Sequence, residues 1–323
     1  MSLKEDLIGE LKKGQFSPVY FGDVSSDLWD EKIKTKDDYF LFFNSYLLQY
    51  ELEYYQLESI PLVFMIEYSS SISLFKCYFN SESVIVYPLC FEESFDYKKG
   101  VKISKIISSY FKNSSFKMQF VNLPYTNNLI NHFKLQMQFT GALKSSLEMY
   151  IDLQYSVEEL WNVLRKSYRS LINFGRKNLN IESEFNEDLW SECKIFHQKV
   201  AGRITRNDET WNIQKTMIEK NMAKVFYIRE EGKLLGFALF SIAENTVSYS
   251  VGVFDRSKFD KISISHIILW HAIEYFKSKG FKTIYLGEYA SEKNINNQKL
   301  ININYFKFGF CNNLISNNYL SNE

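Results

Sequence analysis

Residues 223–287 read AKVFYIREEGKLLGFALFSIAENTVSYSVGVFDRSKFDKISISHIILWHAIEYFKSKGFKTIYLG. Three runs rich in β-branched and aromatic residues follow one another: Ala223–Arg229, Lys233–Ile242 and Thr246–Phe254. Each is bounded by polar residues, the signature of a strand. A polar loop, Asp255–Lys261, leads to a helical run, Ser263–Lys279, and then to a fourth strand, Lys282–Leu286. Antiparallel strands come first, and a helical crossover, which implies a parallel pair, comes last. A sheet that changes from antiparallel to parallel splays at the change. The end of the third strand, the start of the crossover helix and the last strand then frame a cleft.

The same order of elements occurs earlier in the chain, at an offset of about 163 residues. Strand-like runs Pro61–Tyr68, Ser71–Asn80 and Ser83–Cys90 precede a loop, Phe91–Gly100, a helix, Val101–Phe111, and a strand, Phe116–Val121. The fold class expected is therefore α/β (α+β), two copies of one module in tandem, each a mixed antiparallel/parallel sheet flanked by helices. The expected domains are residues 1–150 and 151–323, which agrees with a chain too long for one small core.

The two copies differ at the cleft. The first loop carries Glu92, Glu93 and Asp96 ahead of Lys98 and Lys99; the second carries Arg256, Lys258 and Lys261 with two aspartates, Asp255 and Asp260. Ser263 and Ser265 open the second crossover helix with good N-cap chemistry. Free N–H groups and a positive dipole end there suit a phosphate. The donor site is thus expected in the second module, with the first as scaffold or acceptor-binding surface.

The arginines agree with that placement. All seven lie between Arg165 and Arg256, and Lys supplies the positive charge elsewhere. Guanidinium is a planar fork that grips phosphate or carboxylate through two parallel hydrogen bonds. Arg203 and Arg206 are the candidates to hold a phosphorylated donor or acceptor, with Arg169 and Arg176 as a second layer. The competing explanation is compositional drift and surface ion pairs.

Composition excludes several classes. The chain is 46% hydrophobic and 17% aromatic, so it folds around substantial cores. Its zero net charge argues against a general nucleic-acid coat, and no DNA partner is expected. Four scattered cysteines form no CxxC pair, and His266 and His271 are five apart, so no metal is expected. No apolar run reaches the length of a membrane span, so no integral membrane segment and a cytoplasmic, at most membrane-peripheral, location are expected. The stretch Tyr39–Tyr50 predicts a helix packed on the first sheet. With a lipid-linked acceptor it would instead be a membrane-touching face.

Four further segments carry a family resemblance. They are Leu164-Arg165-Lys166-Ser167-Tyr168-Arg169-Ser170-Leu171-Ile172 with Gly175-Arg176-Lys177; His197-Gln198-Lys199-Val200-Ala201-Gly202-Arg203; Trp270-His271-Ala272-Ile273 through Lys279-Gly280-Phe281 to Ile284-Tyr285-Leu286-Gly287; and Phe306-Lys307-Phe308-Gly309-Phe310. In order and spacing they resemble the FemAB/FemX-type aminoacyltransferases and the similar CelD-like acetyltransferase group. Both groups are tandem-module members of the GNAT superfamily. The resemblance implies an N-acyltransferase or aminoacyltransferase with no tightly bound cofactor. Its donor would be acyl-CoA or aminoacyl-tRNA, so tRNA is an implied partner. Its acceptor would be a phosphorylated small molecule or a lipid-linked, cell-envelope or sugar acceptor.

Two features depart from that pattern. Asp255 to Ser265 contains no glycine where CoA-dependent members usually have a glycine-bearing phosphate loop. Leu286 stands where the family places an acid. A non-catalytic polyanion-binding protein that retains the fold is the alternative reading. The resemblance implies that Lys307 stabilises the oxyanion of acyl transfer; otherwise it is a solvent-exposed lysine on a terminal strand. Glu288, just past a strand end, is the candidate general base. Tyr285 or Tyr305 is the candidate donor of a proton to the leaving group.

Overall fold

A computed structural model describes residues 3–33, 43–55, 62–68, 71–79, 83–89, 97–113, 117–121, 142–255, 257, 263–289 and 297–321. In chain order the elements are α1 (Leu3–Lys13), β1 (Pro18–Tyr20), α2 (Ser26–Ile33), α3 (Ser45–Tyr54), β2 (Leu62–Tyr68), β3 (Ser71–Phe79), β4 (Ser83–Leu89), α4 (Tyr97–Asn113) and β5 (Lys117–Val121). Then come β6 (Ala142–Asp152), α5 (Val157–Val163), α6 (Lys166–Asn178), β7 (Ile181–Glu182), α7 (Glu187–Ala201), α8 (Asp208–Glu219), β8 (Ala223–Glu230), β9 (Lys233–Ile242) and β10 (Thr246–Phe254). α9 (Ile264–Ser278), β11 (Thr283–Tyr289), α10 (Gln298–Phe308) and β12 (Asn313–Ser321) close the chain.

The mixed sheets expected from the sequence are present in both halves. β2, β3 and β4 pair antiparallel and β4 pairs β5 in parallel; β8, β9 and β10 pair antiparallel and β10 pairs β11 in parallel. The chain divides into two compact units. One comprises residues 1–33, 57–146 and 316–323; the other comprises residues 34–56 and 147–315. The end of β12 therefore completes the first unit, where Tyr319 faces Val121 and Ser321 faces Gln119 antiparallel to β5. The end of β6 completes the second, where Ile151 faces Ile284 antiparallel to β11.

The strands of the second unit are covered on both faces, and the alternation along β9 is broken at its register shift with β8, between Leu234 and Gly236. Along β9, Leu235, Ala238 and Phe240 pack with α6 and α9, whereas Leu234, Phe237 and Leu239 pack with α7 and α8. β8 repeats this, with Phe226 and Ile228 on the first face and Val225 and Tyr227 on the second. Side chains such as Phe226 and Phe240 are fully buried. Truncation of either to Ala would cost about 3–5 kcal/mol. α7 and α8 are set by their caps: Asn186 and Asn207 accept from the backbone N–H groups of Leu189 and Thr210.

The first unit is built around Leu7 and Leu11 of α1, Trp29 and Ile33 of α2, Val63–Ile66 of β2, Phe75 of β3, and Ile103 and Ile107 of α4, all buried. One expectation fails. The helix read over Tyr39–Tyr50 falls outside the unit that the first sheet forms. Its described part, α3, belongs to the second unit and lies against α8, with Tyr46 and Tyr50 packed on the cluster around Trp190 and Trp211. Apolar periodicity predicts that a face is buried, but not which neighbour buries it.

Candidate active site

The second sheet opens between its two parallel strands. β10 and β11 are paired at Thr246–Thr283, Val247–Ile284 and Ser248–Tyr285, and there the pairing ends. β10 continues on β9 as far as Phe254, and β11 continues on β6 as far as Tyr289. Each strand carries a register shift at the parting, Tyr249/Val251 in β10 and Tyr285/Gly287 in β11. An extra residue bends a strand and swaps its faces. The swap is visible in β10, where Val247 and Tyr249 pack on the α9 side but Val251 and Val253 on the α7 side.

Lys307 reaches this gap. It stands in the last turn of α10, not on the terminal strand, and is half-buried. Its ammonium lies 6.0 Å from the centre of the Tyr249 ring. Gly287 has φ +101°, a conformation that favours glycine, and a Cβ there would come within 3.2 Å of Lys307 Nζ. Burial lowers the pKa of Lys307, and the negative charge of Glu148 opposes that fall.

The end of α10 is held by the basic helix. A Cβ on Gly309 would overlap the Tyr168 ring, and the backbone N–H of Arg165 donates to the Gly309 carbonyl at 3.0 Å. The Arg165 guanidinium lies over Tyr305, 3.4 Å from the ring centre, and donates to the Tyr168 hydroxyl at 3.0 Å. Tyr168 in turn packs on Phe310 and His266, at 5.1 and 4.3 Å between ring centres. Burial, then Arg165, lowers the pKa of His266 to about 4, so this imidazole is neutral at pH 7. The glycine of the F-K-x-G-F segment and the tyrosine of the basic helix thus interlock to aim Lys307.

On β6, Glu148 is 6% exposed and accepts a hydrogen bond from the Tyr285 hydroxyl at 2.5 Å. Glu148 stands directly across from Glu288, and Tyr150 directly across from Tyr285, with their rings 5.0 Å apart. Opposite residues of an antiparallel pair share a face. Glu288 lies at the open end, exposed on one side, and its partial desolvation raises its pKa. Sequence reasoning missed Glu148. The signal was present as alternation along 148–153, where Met149, Ile151 and Leu153 belong to one core face and Glu148 and Tyr150 alternate with them.

The arginines do not converge on one point. Arg176 pairs with Glu274 and lies over Trp161 and Trp270, and Arg229 pairs with Glu192. Arg169 donates to the Asn162 carbonyl at 2.5 Å. Arg206 donates to Gln214 at 3.2 Å and lies 5.2 and 5.6 Å from the Trp211 and Tyr54 ring centres, while its buried Nε has no hydrogen-bond partner among the described residues. Arg203 is exposed beyond the end of α7, where Gly202 takes the left-handed conformation. Arg256, Lys258 and Lys261 lie outside the described residues. Ser263 occupies the N-cap position of α9, but its side chain makes no capping hydrogen bond, because its backbone has turned away from the usual extended form. Ser265 approaches His266 Nδ1 at 3.4 Å. Among the described residues no group of His, Cys, Asp and Glu could hold a metal ion, and no helix is long and apolar enough to cross a membrane.

Residues 183–310 match the family model described as "Acetyltransferase (GNAT) family". Solved structures share the fold at low identity. FemX aligns with a TM-score of 0.63 and 12% identity over 95% of this chain and 98% of its own. The C-terminal domain of a putative lysylphosphatidylglycerol synthetase from Agrobacterium fabrum aligns with a TM-score of 0.55 and 13% identity over 78% of this chain and 80% of its own. A tandem GNAT protein from the clavulanic acid biosynthesis pathway aligns with a TM-score of 0.51 and 9% identity over 95% of this chain and 99% of its own. No curated protein sequence matches the chain.

Proposed function

We propose that this chain, which carries a GNAT acetyltransferase domain across residues 183–310, moves an acyl or aminoacyl group from an activated donor to an amine or hydroxyl. Acyl-CoA and aminoacyl-tRNA are the donors that the family resemblance offers. The likeness to a lysylphosphatidylglycerol synthetase domain and to FemX supports a phosphorylated, lipid-linked or cell-envelope acceptor.

One observation carries the reading: a half-buried ammonium, Lys307, at the point where β10 and β11 part. Acyl transfer passes through a tetrahedral intermediate whose oxygen gains negative charge. A fixed cation in a partly dry gap stabilises that charge more than it stabilises the neutral carbonyl, and so lowers the barrier. The attacking nitrogen forms the C–N bond and gives up a proton. The C–S bond of a thioester or the C–O bond of an aminoacyl ester breaks, and the leaving group takes a proton. Glu288 is the proposed base, directly or through water, since a raised pKa makes a carboxylate a better proton acceptor. Tyr305 and Tyr285 are the proposed donors to the leaving group. Arg203, Arg206 and the basic segment with Arg256 and Lys258 are the proposed phosphate contacts, with Ser263 and Ser265 at the start of α9 and Arg169 and Arg176 behind them.

The test is to mix the purified protein separately with acetyl-CoA, a longer acyl-CoA and a charged tRNA mixture, and to record its melting temperature. A ligand at 100 times its Kd adds about 2.7 kcal/mol. A shift with one donor class identifies it. No shift with any of the three removes the transferase reading and leaves a protein that keeps the fold without the reaction.

A further inference from the structure

The face of β6 and β11 that meets Lys307 turns apolar and exposed at its outer end. Along β6, Ile151, Met149 and Leu147 point to one side, and their partners on β11 are Ile284, Gly287 and Tyr289. Opposite residues of an antiparallel pair share a face. A Cβ at Gly287 would meet Lys307 Nζ at 3.2 Å, so the ammonium lies on this face. Glu148 and Glu288 form the intervening pair and belong to the other face. Ile151, Met149 and Ile284 are fully buried, but the last pair is open: Leu147 is 42% and Tyr289 41% exposed. Phe308 follows Lys307 on α10 and is 46% exposed, with its ring edge-on to Tyr289 at 6.3 Å between centres. Single exposed apolar side chains are ordinary, whereas a group of three beside a half-buried ammonium marks a surface that is covered in use.

We propose that Leu147, Tyr289 and Phe308 form the subsite for the chain of the transferred group, and that this group is apolar: a medium or long fatty acyl group, or an aminoacyl group with an apolar side chain. The inference rests on the transferase reading and deepens it by naming the class of group moved. The carbon whose oxygen Lys307 stabilises also carries the leaving group, the incoming nucleophile and the acyl chain. Bonds to the first two change in the reaction. The chain keeps its bond and needs only a surface to lie on, and its burial there orients the reacting carbon. On the Lys307 face that surface is Leu147, Tyr289 and Phe308. A lysyl chain would lay a second cation beside Lys307, and none of the residues in the three pairs of this face is acidic. An acetyl group would be too short to cover the three side chains.

The full-length chain is titrated with acetyl-, octanoyl- and palmitoyl-CoA, and with one tRNA body charged in turn with alanine, leucine and lysine. The two series separate the sources of the apolar group. Each buried methylene raises affinity about fourfold, so octanoyl-CoA should bind at least about tenfold more tightly than acetyl-CoA, or the leucine-charged tRNA about tenfold more tightly than the lysine-charged one. Phe308→Ser with Tyr289→Ser should cut that preference to about threefold or less. Ile195→Ser, at a more exposed apolar residue on α7, should keep it. Should the double variant fail to fold, Leu147→Asn takes its place with the same expectation. Equal affinity along both series, a preference for lysine, or a preference unmoved in the folded variants overturns the proposal and leaves the transferase reading standing. If no donor binds, the transferase reading falls, and a fatty acid bearing a diazirine decides the subsite by itself. Crosslinks mapped by mass spectrometry to Leu147, Tyr289 or Phe308, and lost in the double variant, keep it as a site for an apolar chain. Crosslinks elsewhere, or none, remove it.

Discussion

The two parallel strand pairs of this chain are built alike and open differently. In the first half, β4 and β5 are joined from Ser83–Lys117 to Val86–Phe120, and β5 ends one residue later, at Val121. Its other neighbour, β12, runs beside it in unbroken register at Tyr319–Val121, Leu320–Phe120 and Ser321–Gln119. In the second half, β10 runs six residues and β11 four beyond their last shared pair, and both are bulged at the parting. A repeated fold therefore supplies the parallel pair twice. In the second copy the strands part at two register shifts, beside a glycine at φ +101°.

The sharpest way to break this contrast is to remove the cation from the open copy. Lys307→Met should lower kcat about 10²–10³-fold with whichever donor binds, while leaving donor affinity nearly unchanged. Lys98→Ala with Lys99→Ala, in the first turn of α4, should leave turnover at the parent level. Steady-state kinetics and a donor titration check both. Equal losses in the two halves would abolish the asymmetry.

Gly287→Ala sharpens it next. The substitution strains a backbone at φ +101° and puts a methyl group within 3.2 Å of Lys307 Nζ. We expect a loss of about 1–3 kcal/mol in stability, and a loss of turnover exceeding what unfolding explains, since Lys307 must move. Thermal melts and kcat on the same preparations separate the two. Parental kcat in a destabilised but folded variant would show that Gly287 serves the turn alone.

The basic segment before α9 gives a smaller effect. Arg256→Ala with Lys258→Ala should weaken a phosphorylated donor about tenfold, or about 1.4 kcal/mol, with kcat at saturation largely kept. Isothermal titration reads this. Matching losses from Lys98→Ala with Lys99→Ala would place the phosphate contact in both halves.

How far the sequence carried can be judged residue by residue. The four strands and the crossover of each copy were legible because runs of β-branched and aromatic residues bounded by polar ones are written locally, as in Lys233–Ile242. The interlock behind Lys307 was legible only as a resemblance, through Tyr168 and Gly309, whose meeting is a matter of shape. Glu148 escaped because its meaning lies in a partner 137 residues away, the Tyr285 hydroxyl. The placement of α3 escaped for the same reason. A pattern states that a face is buried, and only the chain's path states against what.

The arginine window is the finest test of the contrast, because all seven arginines lie in the second half. The structure divides the window into roles that Lys would fill unequally. Arg176 and Arg229 have carboxylate partners, so their retention needs no ligand. Arg206 lies within cation–π reach of the Tyr54 and Trp211 rings and is bonded to Gln214. Arg206→Lys should therefore cost stability through a weaker cation–π contact, about 0.5–1 kcal/mol, whether or not it touches a phosphate. Arg203 is exposed and free of that ambiguity. If it grips a phosphate with its fork, Arg203→Lys keeps the charge, loses the second parallel hydrogen bond and weakens the ligand by up to about tenfold, with an unchanged melting temperature. If it is a surface charge, Lys serves equally well, since such charges contribute only about 0–1 kcal/mol. Binding titrations of Arg203→Lys and Arg206→Lys, set beside their melting curves, decide between these. Loss of affinity in Arg203→Lys without loss of stability assigns the window to a ligand. Unchanged affinity in both assigns it to packing and ion pairs.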